Sequence, residues 1–350
     1  MTAFTPHCCP LDDCPSKSGR PFLWHRKGFY PRHCDGRSVQ RFRCLTCARS
    51  FSAQTFRLDY RLKLPELHLR LFPLFVSKVT LRQCARVVAR SRRAVDHRFD
   101  LLGRHCKRFH EEQLAQAKSR GGLKGIFQLD ELETFEHSRK LKPVTVPVLI
   151  ERESRFVIAL HAGTLPARGR LTKKQQARKL EIEAREGKRV NQSRAVVRAC
   201  LETLAGVRSK DGQLAFQTDR KGSYAALIRE LFGPGTPHQR TSSKVHKTTR
   251  HPLFSLHVVQ AMMRDGLSRL VRRNWAHPKK RARIETHGWI WIAYRNWIRW
   301  YTNGVRDRSA AAILGLTEGL MSVADLLRWR VPPPPAKGPA MGTSIQPHHL

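Results

Sequence analysis

The spacing of hydrophobic residues changes several times along the chain of 350 residues. Between residues 62 and 108 it is helical, in three segments that read LPELHLRLFPLFVSK, TLRQCARVVAR and SRRAVDHRFDLLGRHC. Thr80, with Gln83 three residues later, predicts a capping box at the start of the second segment, and Ser91 begins the third. Two short helices joined by a tight turn, the second of them basic, predict a helix-turn-helix module over residues 60–112.

Strand-like patterns begin after residue 122. KGIFQLDELETFE, PVTVPVLIER and RFVIALHAG follow one another with short charged turns, which predicts three antiparallel strands. A basic, largely helical insertion is expected over 165–206, LAFQTD predicts a fourth strand that ends at Asp219, and helices are expected in SYAALIRELF and PLFSLHVVQAMMRDGLSRLVRR. Strands followed by alternating strand and helix predict an α/β domain over 122–330, with an RNase-H-like mixed sheet and flanking helices.

The two ends of the chain lack this periodicity. Residues 1–55 are rich in Cys, Pro and basic residues, and QRFRCLTCARSFS predicts a short strand that runs into a metal-binding knuckle. Residues 331–350 contain four consecutive prolines, and we expect this tail to be disordered. The apolar run WIWIAYRNWIRWY is short and broken by Arg295 and Arg299, so it predicts a core or interface helix and no membrane association.

The charge of the chain changes this picture of an ordinary α/β protein. It contains 66 Lys and Arg against 27 Asp and Glu, a net charge of +39. Such a chain repels itself unless a polyanion neutralises it, so nucleic acid is the expected partner. Basic clusters recur in ARSRRAV, LTKKQQARK and RLVRRNWAHPKKRAR, which favours an extended DNA-contact surface over a single localisation signal. No apolar leader is present at the N-terminus, and we expect an intracellular protein.

Nine cysteines, most of them in the first 50 residues, predict a metal site rather than disulfides in an intracellular protein. Two close pairs are the expected ligands of a structural, tetrahedral Zn²⁺: Cys9, Cys14, Cys44 and Cys47. Cys8 and Cys34 are competing ligands, and reduced cysteines without metal are the alternative. Because this zinc ribbon, residues 1–55, has little hydrophobic core of its own, we expect metal binding and folding to be one event.

Acidic residues are scarce, and two of them occur where strands are predicted. Asp130 follows a short apolar run in FQLDELE, and Asp219 ends LAFQTD. Aspartates on neighbouring strands can hold a pair of divalent metals about 4 Å apart, which activate an attacking oxygen and stabilise a leaving one. Two solvated acids at strand ends are the alternative interpretation.

Over residues 8–330 the chain resembles bacterial insertion-sequence transposases of the DDE superfamily. The resemblance lies in the order of six segments: CCPLDDC, RFRCLTCARSFS, VTLRQCARVVARSRRAV, QLDELETF, FQTDRKGSY and LSRLVRR. The resemblance implies a DNA transposase that binds terminal inverted repeats, cleaves the element ends with Mg²⁺ or Mn²⁺ and joins the 3′-hydroxyls to target DNA. It also implies double-stranded DNA as the partner, a homo-oligomer in the active state and a cytoplasmic, nucleoid-associated location.

In this resemblance Asp130 matches the first acid and Asp219 the second. In the family the third acid is usually a Glu about 35 residues after the second, with Lys or Arg seven positions further on. In this chain His257 takes that place, with 37 residues between it and Asp219, and Arg264 stands seven positions after it. The resemblance therefore implies a DDH variant, in which a neutral imidazole would suit Mn²⁺ better than Mg²⁺. The alternatives are an inactive or repurposed DNA-binding protein that has lost this ligand, and an unrelated metal-dependent nuclease.

Basic side chains outside the acidic site are assigned to DNA contact. The helix after Ser91 is expected to reach phosphates or guanine edges, with a plain helical linker as the alternative. Residues close after Asp219 and those from 264 to 273 are expected to follow the phosphate backbone. The full set is Arg92, Arg93, His97, Arg98, Lys221, Tyr224, Arg264, Arg269, Arg272 and Arg273.

Overall fold

The computed structural model describes residues 4–242, 244–271 and 280–330. The chain divides into two compact units, one from Leu67 to Leu326 and the other containing the first 66 residues with those after Leu326. The predicted tail 331–350 lies outside the described residues.

The strands are β1 Trp24–Pro31, β2 Ser38–Cys44, β3 Ser50–Ser52, β4 Gly125–Phe135, β5 Pro143–Glu151, β6 Val157–Leu160, β7 Gly163–Thr164, β8 Leu214–Asp219, β9 His238–Thr241, β10 Trp300–Thr302 and β11 Val305–Ser309. The helices are α1 Leu67–Phe75, α2 Leu81–Val87, α3 Arg92–Ser119, α4 Lys173–Glu186, α5 Ser193–Val207, α6 Gly222–Phe232, α7 Phe254–Gly266, α8 Ala282–Ala293, α9 Ala310–Ile313 and α10 Val323–Arg328.

The N-terminal unit is built on the antiparallel sheet β1-β2-β3. Phe42 on β2 stacks on Phe51 of β3 with ring centroids 5.5 Å apart, and Trp24 meets Phe42 edge-on at 5.3 Å. Phe22 and Phe56 pack against the same cluster. The expectation that this unit has little hydrophobic core is therefore wrong, because an aromatic cluster fills its interior.

The helical segment that was predicted as a helix-turn-helix begins as expected. Thr80 and Gln83 form the capping box, with the Gln83 side chain accepting from the Thr80 backbone N–H at 2.8 Å, and Ser91 N-caps α3. α3 then runs for 28 residues to Ser119, well past the predicted end. The polar sequence EEQLAQAKS continues the helix because it consists mostly of strong helix formers, and it buries Leu114.

Contacts of α3 join this helical segment to the α/β sheet in one unit. A Cβ atom added at Gly103 would lie 2.3 Å from the side chain of Thr286 on α8, so only glycine allows the two helices to approach this closely. His110 donates from Nε2 to the carbonyl of Ile158 on β6 at 2.9 Å. The segments predicted as separate modules at 60–112 and 122–330 thus pack against each other.

The large sheet has the strand order β6-β5-β4-β8-β9, with the short β7 paired to β5. β4, β5 and β6 are antiparallel, whereas β8 runs parallel to β4 and β9 parallel to β8. This confirms the predicted RNase-H-like mixed sheet with flanking helices. β9 was not predicted, because its four residues HQRT are polar and only their pairing with β8 makes them a strand.

The two faces of this sheet carry different helices. Successive side chains of a strand point to opposite faces. Glu131 contacts Ser193 of α5 and Tyr224 of α6, whereas Asp130 contacts Gln260 of α7. α5 and α6 therefore cover one face, and α7 covers the face on which Asp130 lies.

The first five residues of the apolar run 289–301 are buried, as expected for a core helix, whereas Trp300 near its end is exposed. Trp289 and Trp291 lie on α8, which continues into a π-helical turn, Tyr294–Ile298. No helix within the described ranges is long and apolar enough to cross a membrane.

Candidate active site and cysteine cluster

Asp130 and Asp219 lie at neighbouring positions on parallel strands. The last paired residues of β4 and β8 are Leu129 and Thr218, and the two aspartates follow these directly. Burial raises the pKa of Asp130, and the charge of Asp219 raises it further. A buried carboxylate beside a second carboxylate is stabilised by a neutralising cation, so this pair is suited to a divalent metal.

The Asp130 carboxylate is held from two directions. Its Oδ1 accepts from the backbone N–H of Glu131 at 2.7 Å, and its Oδ2 accepts from Nε2 of Gln260 at 3.2 Å. Gln260 is buried and lies on α7 three residues after His257, hence on the same face of that helix. The direct contact from α7 to Asp130 therefore comes from the amide of Gln260, to which the sequence analysis gave no role.

The Asp219 carboxylate is positioned through Lys221. The backbone N–H of Lys221 donates to Oδ1 of Asp219 at 2.9 Å, and its Nζ forms an ion pair with Oε2 of Glu131. Glu131 also accepts from Thr145, Ser193 and Tyr224. Burial would raise the pKa of Glu131, but the bonds from Lys221, Thr145 and Ser193 lower it, so this carboxylate is a buried anion with four donors.

Gln128 fixes the start of α7 over the sheet. No side chain within the first turn caps this helix, but Oε1 of Gln128 accepts from the backbone N–H of Leu256 at 2.9 Å, and its Nε2 donates to the carbonyl of Pro252 at 2.6 Å. The same Nε2 donates to Gln217 on β8, which donates in turn to Gln239 on β9, both at 2.7 Å. A ladder of three glutamines thus supplies from the sheet the cap that α7 lacks.

His257 follows Leu256 on this anchored helix. Burial, with Lys247 and His251 adding to it, lowers the pKa of His257 to about 4. The rings of His257 and His251 lie 4.9 Å apart between centroids. At neutral pH the imidazole is uncharged, the form in which histidine binds metals. The ligand atoms of Asp130, Asp219 and His257 do not lie within 4.8 Å of one another.

The four predicted cysteines come together in the N-terminal unit. The Sγ atoms of Cys9, Cys14, Cys44 and Cys47 all lie within 4.8 Å of one another, the one such group of His, Cys, Asp and Glu found in the part of the chain that the structure describes. Cys8 and Cys34 stand outside it. Although burial opposes ionisation of Cys14, hydrogen bonds from Ser16 and from neighbouring cysteines lower its pKa to about 7. Four converging sulfurs, one of them readily deprotonated, fit a tetrahedral thiophilic ion.

No protein-family model and no curated protein matches the chain. Among solved structures, three of Mos1 were found: the strand transfer complex (13% identity, 61% of this chain and 69% of that chain, TM-score 0.26), the transposase catalytic domain with raltegravir and Mg (11%, 54% and 88%, TM-score 0.24) and the catalytic domain of the mariner transposase (12%, 65% and 94%, TM-score 0.26). With such low identities and TM-scores, statements about function rest on the residues of this chain.

The predicted DNA contacts on α3 divide by exposure. Arg92, Arg93 and His97 are exposed on its first two turns. Arg98 is buried, at 6% exposure, because it falls on the face of α3 that also buries Val95 and Phe99. Arg98 therefore belongs to the interior of the fold and is not presented to DNA.

The other predicted DNA contacts are placed less uniformly. Tyr224 is 1% exposed and donates to Glu131, and Arg269 lies with its Cζ 4.8 Å from the Phe99 ring centroid, so both have interior roles. Lys221 is partly exposed in its ion pair, and Arg264 is half-buried on α7. The last two of the set, Arg272 and Arg273, lie outside the described residues.

Proposed function

We propose that this protein is a DNA transposase that joins element ends to target DNA by metal-dependent phosphoryl transfer. The observation that carries the proposal is the adjacency of Asp130 and Asp219 on parallel strands, with α7 laid over them. Burial raises the pKa of Asp130 and the charge of Asp219 raises it further, which favours a cation beside this carboxylate. The net charge of +39 supports a polyanionic substrate.

The ligand atoms of Asp130, Asp219 and His257 do not all lie within 4.8 Å of one another, but their chemistry suits Mg²⁺ or Mn²⁺, since the aspartates offer hard oxygen ligands and His257 a neutral nitrogen. A divalent metal bound there would supply activation of the attacking 3′-oxygen and stabilisation of the leaving oxygen. The chain's own residues orient this site. Lys221 holds the Asp219 carboxylate, and Gln260 holds that of Asp130.

Two further parts of the chain support binding of element ends. The cysteine cluster would hold a structural Zn²⁺ that fixes the fold of the N-terminal unit. Arg92, Arg93 and His97 form an exposed basic start to α3, which we assign to DNA contact. The name insertion-sequence transposase, the inverted-repeat substrate and the active homo-oligomer belong to the same proposal.

The proposal is tested by strand transfer with the full chain loaded with zinc. Duplexes that carry the ends flanking the coding region, already cut to expose 3′-hydroxyls, are mixed with plasmid target in Mg²⁺ and in Mn²⁺. Joined products are expected in at least one metal. DNA binding without any joining in either metal would instead indicate the alternative, a repurposed DNA-binding protein in which His257 marks the loss of the third metal ligand.

A further inference from the structure

Arg295 is a buried cation whose guanidinium nitrogens have no hydrogen-bond partner among the described residues. It lies in the π-helical turn after α8, and none of its surface is exposed. Within the described part of the chain, none of its three guanidinium nitrogens forms a hydrogen bond. Burying a charge without hydrogen-bond partners is costly in free energy, so a folded protein that keeps such a charge usually uses it. Such an orphaned group calls for a ligand that completes its hydrogen bonds.

Two more arginines lie near Arg295, since Arg155 shares the Tyr301 ring with it and the charge of Arg299 acts on it. The Cζ atoms of Arg155 and Arg295 lie 5.5 and 5.8 Å from the centroid of one ring, that of Tyr301. The Nε atoms of Arg155 and Arg299 are also buried, and among the described residues they have no hydrogen-bond partner. Burial, together with the charges of Arg155 and Arg299, lowers the pKa of Arg295 to about 10. The neighbouring groups that act in the opposite direction are Tyr294 and Tyr301, and no carboxylate is among them.

The backbone holds these guanidinium groups in place. Arg155 has φ 54° in the turn between β5 and β6, a left-handed conformation that costs free energy for a residue other than glycine. π-Helical turns, such as the one that contains Arg295, are frequent at functional sites. Asn296 in that turn accepts from the backbone N–H of Val157 at 3.0 Å and donates to its carbonyl at 2.9 Å, which fastens the turn to the β6 edge.

We propose that Arg155, Arg295 and Arg299 form a binding site for a phosphate oxyanion. Three planar donor groups suit a tetrahedral anion with several oxygens better than a carboxylate with two. Arg155 and Arg299 are half-buried, so an anion from solvent meets them first and Arg295 stands behind. Free phosphate and a DNA phosphodiester share this chemistry. The site uses none of the acidic residues of the proposed active site.

The first arm of the test uses inorganic phosphate and the thermal unfolding of the zinc-loaded full chain. Phosphate should raise the Tm of the wild type above its value in chloride at equal ionic strength. Arg295→Met and Arg155→Gly should each lose this increment and weaken phosphate binding at least tenfold, and glycine suits the φ at position 155. Arg152→Met is the matched control, because Arg152 lies in the same turn but pairs with Glu153.

Arg295→Met has a second expected signature. In phosphate-free buffer it should unfold at a higher temperature than the wild type, because it removes a buried, unpaired charge. A purely structural arginine would give the opposite result, a lower Tm with an unchanged phosphate increment. If Arg295→Met fails to fold, Arg155→Gly decides by itself, since it leaves Arg295 in place.

The second arm separates the two sources of phosphate. Binding of a duplex of arbitrary sequence is measured as a function of NaCl concentration, where loss of one phosphate contact reduces the slope of log K against log salt by about one. If both the Tm increment and the slope fall in Arg295→Met, the ligand is the DNA backbone, and if only the increment falls, it is free phosphate. If neither differs from Arg152→Met, the site does not exist, whether or not the protein joins DNA.

Discussion

The side chain of Gln128 accepts a 2.9 Å hydrogen bond from the backbone N–H of Leu256, which joins the central strand β4 to the first turn of α7. The residue after Leu256 is His257, so this bond sets the position of the proposed third ligand. Gln128→Leu should lower the free energy of unfolding by roughly 1–3 kcal/mol, because it leaves a buried N–H unsatisfied. Chemical denaturation measures this loss.

Gln128→Glu sharpens the same prediction. The carboxylate can still accept from Leu256 but can no longer donate to Pro252 or Gln217. Strand transfer should therefore fall less in Gln128→Glu than in Gln128→Leu if capping of α7 is what matters. Equal losses in the two variants would mean that the glutamine ladder, and not the cap, sets the activity.

Lys221 gives a test that separates positioning from DNA contact. If it acts by holding Asp219 through Glu131, then Lys221→Met and Glu131→Gln should each lower the rate of joining, and the double variant should be no worse than either alone. DNA affinity should stay unchanged. If Lys221 instead contacts a phosphate, Lys221→Met alone should weaken DNA binding and reduce its salt slope by about one.

The cysteine cluster predicts one tightly bound zinc ion per chain. Cys44→Ser should abolish stoichiometric zinc binding and reduce the protease resistance of the N-terminal unit, because the closed site and the fold of that unit stabilise each other. Cys34→Ser is the control, since Cys34 is exposed and outside the cluster. The aromatic cluster around Phe42 predicts partial protection without metal, and complete protection in a chelator would refute a structural zinc.

His257 and Gln260 compete for the role of third residue in the active site. His257→Ala should lower joining at least about tenfold, as loss of groups at metal sites generally does. His257→Glu should restore joining and shift the preference from Mn²⁺ towards Mg²⁺. Should His257→Ala be fully active and Gln260→Ala inactive, the contact between Gln260 and Asp130 would identify the amide as the third residue.

Much of the fold follows from local patterns in the sequence. The capping box at Thr80, the antiparallel strands and the amphipathic α7 are encoded over a few residues each, and close cysteine pairs predicted the cluster. β9 escaped prediction because its polar residues become a strand only through long-range pairing. Similarly, the burial of Arg98 and Tyr224 depends on how α3 and α6 pack, which charge alone does not reveal.

The residues that position the site were the least predictable from sequence. Glu131 and Gln128 look like ordinary polar positions of a strand in FQLDELE. Their roles arise because parallel pairing sets β4 beside β8, which brings Lys221 and Gln217 within reach. Only the alternation of side chains around Asp130 hinted at them, since it assigns Gln128 to the same face and Glu131 to the opposite one.

The central claim is that Asp130 and Asp219 together carry metal-dependent joining. Its most direct test is strand transfer of pre-cut ends by Asp130→Asn and Asp219→Asn, which keep the side-chain size and remove the charge. Asp265→Asn is the matched control, because Asp265 lies on α7 with 87% of its side chain exposed.

Each site variant should keep its Tm and DNA affinity but lose joining by roughly 10³-fold or more, as expected when several kcal/mol of transition-state stabilisation are removed. The wild type and Asp265→Asn should join DNA equally well. Joining by either site variant at the wild-type rate would contradict the account.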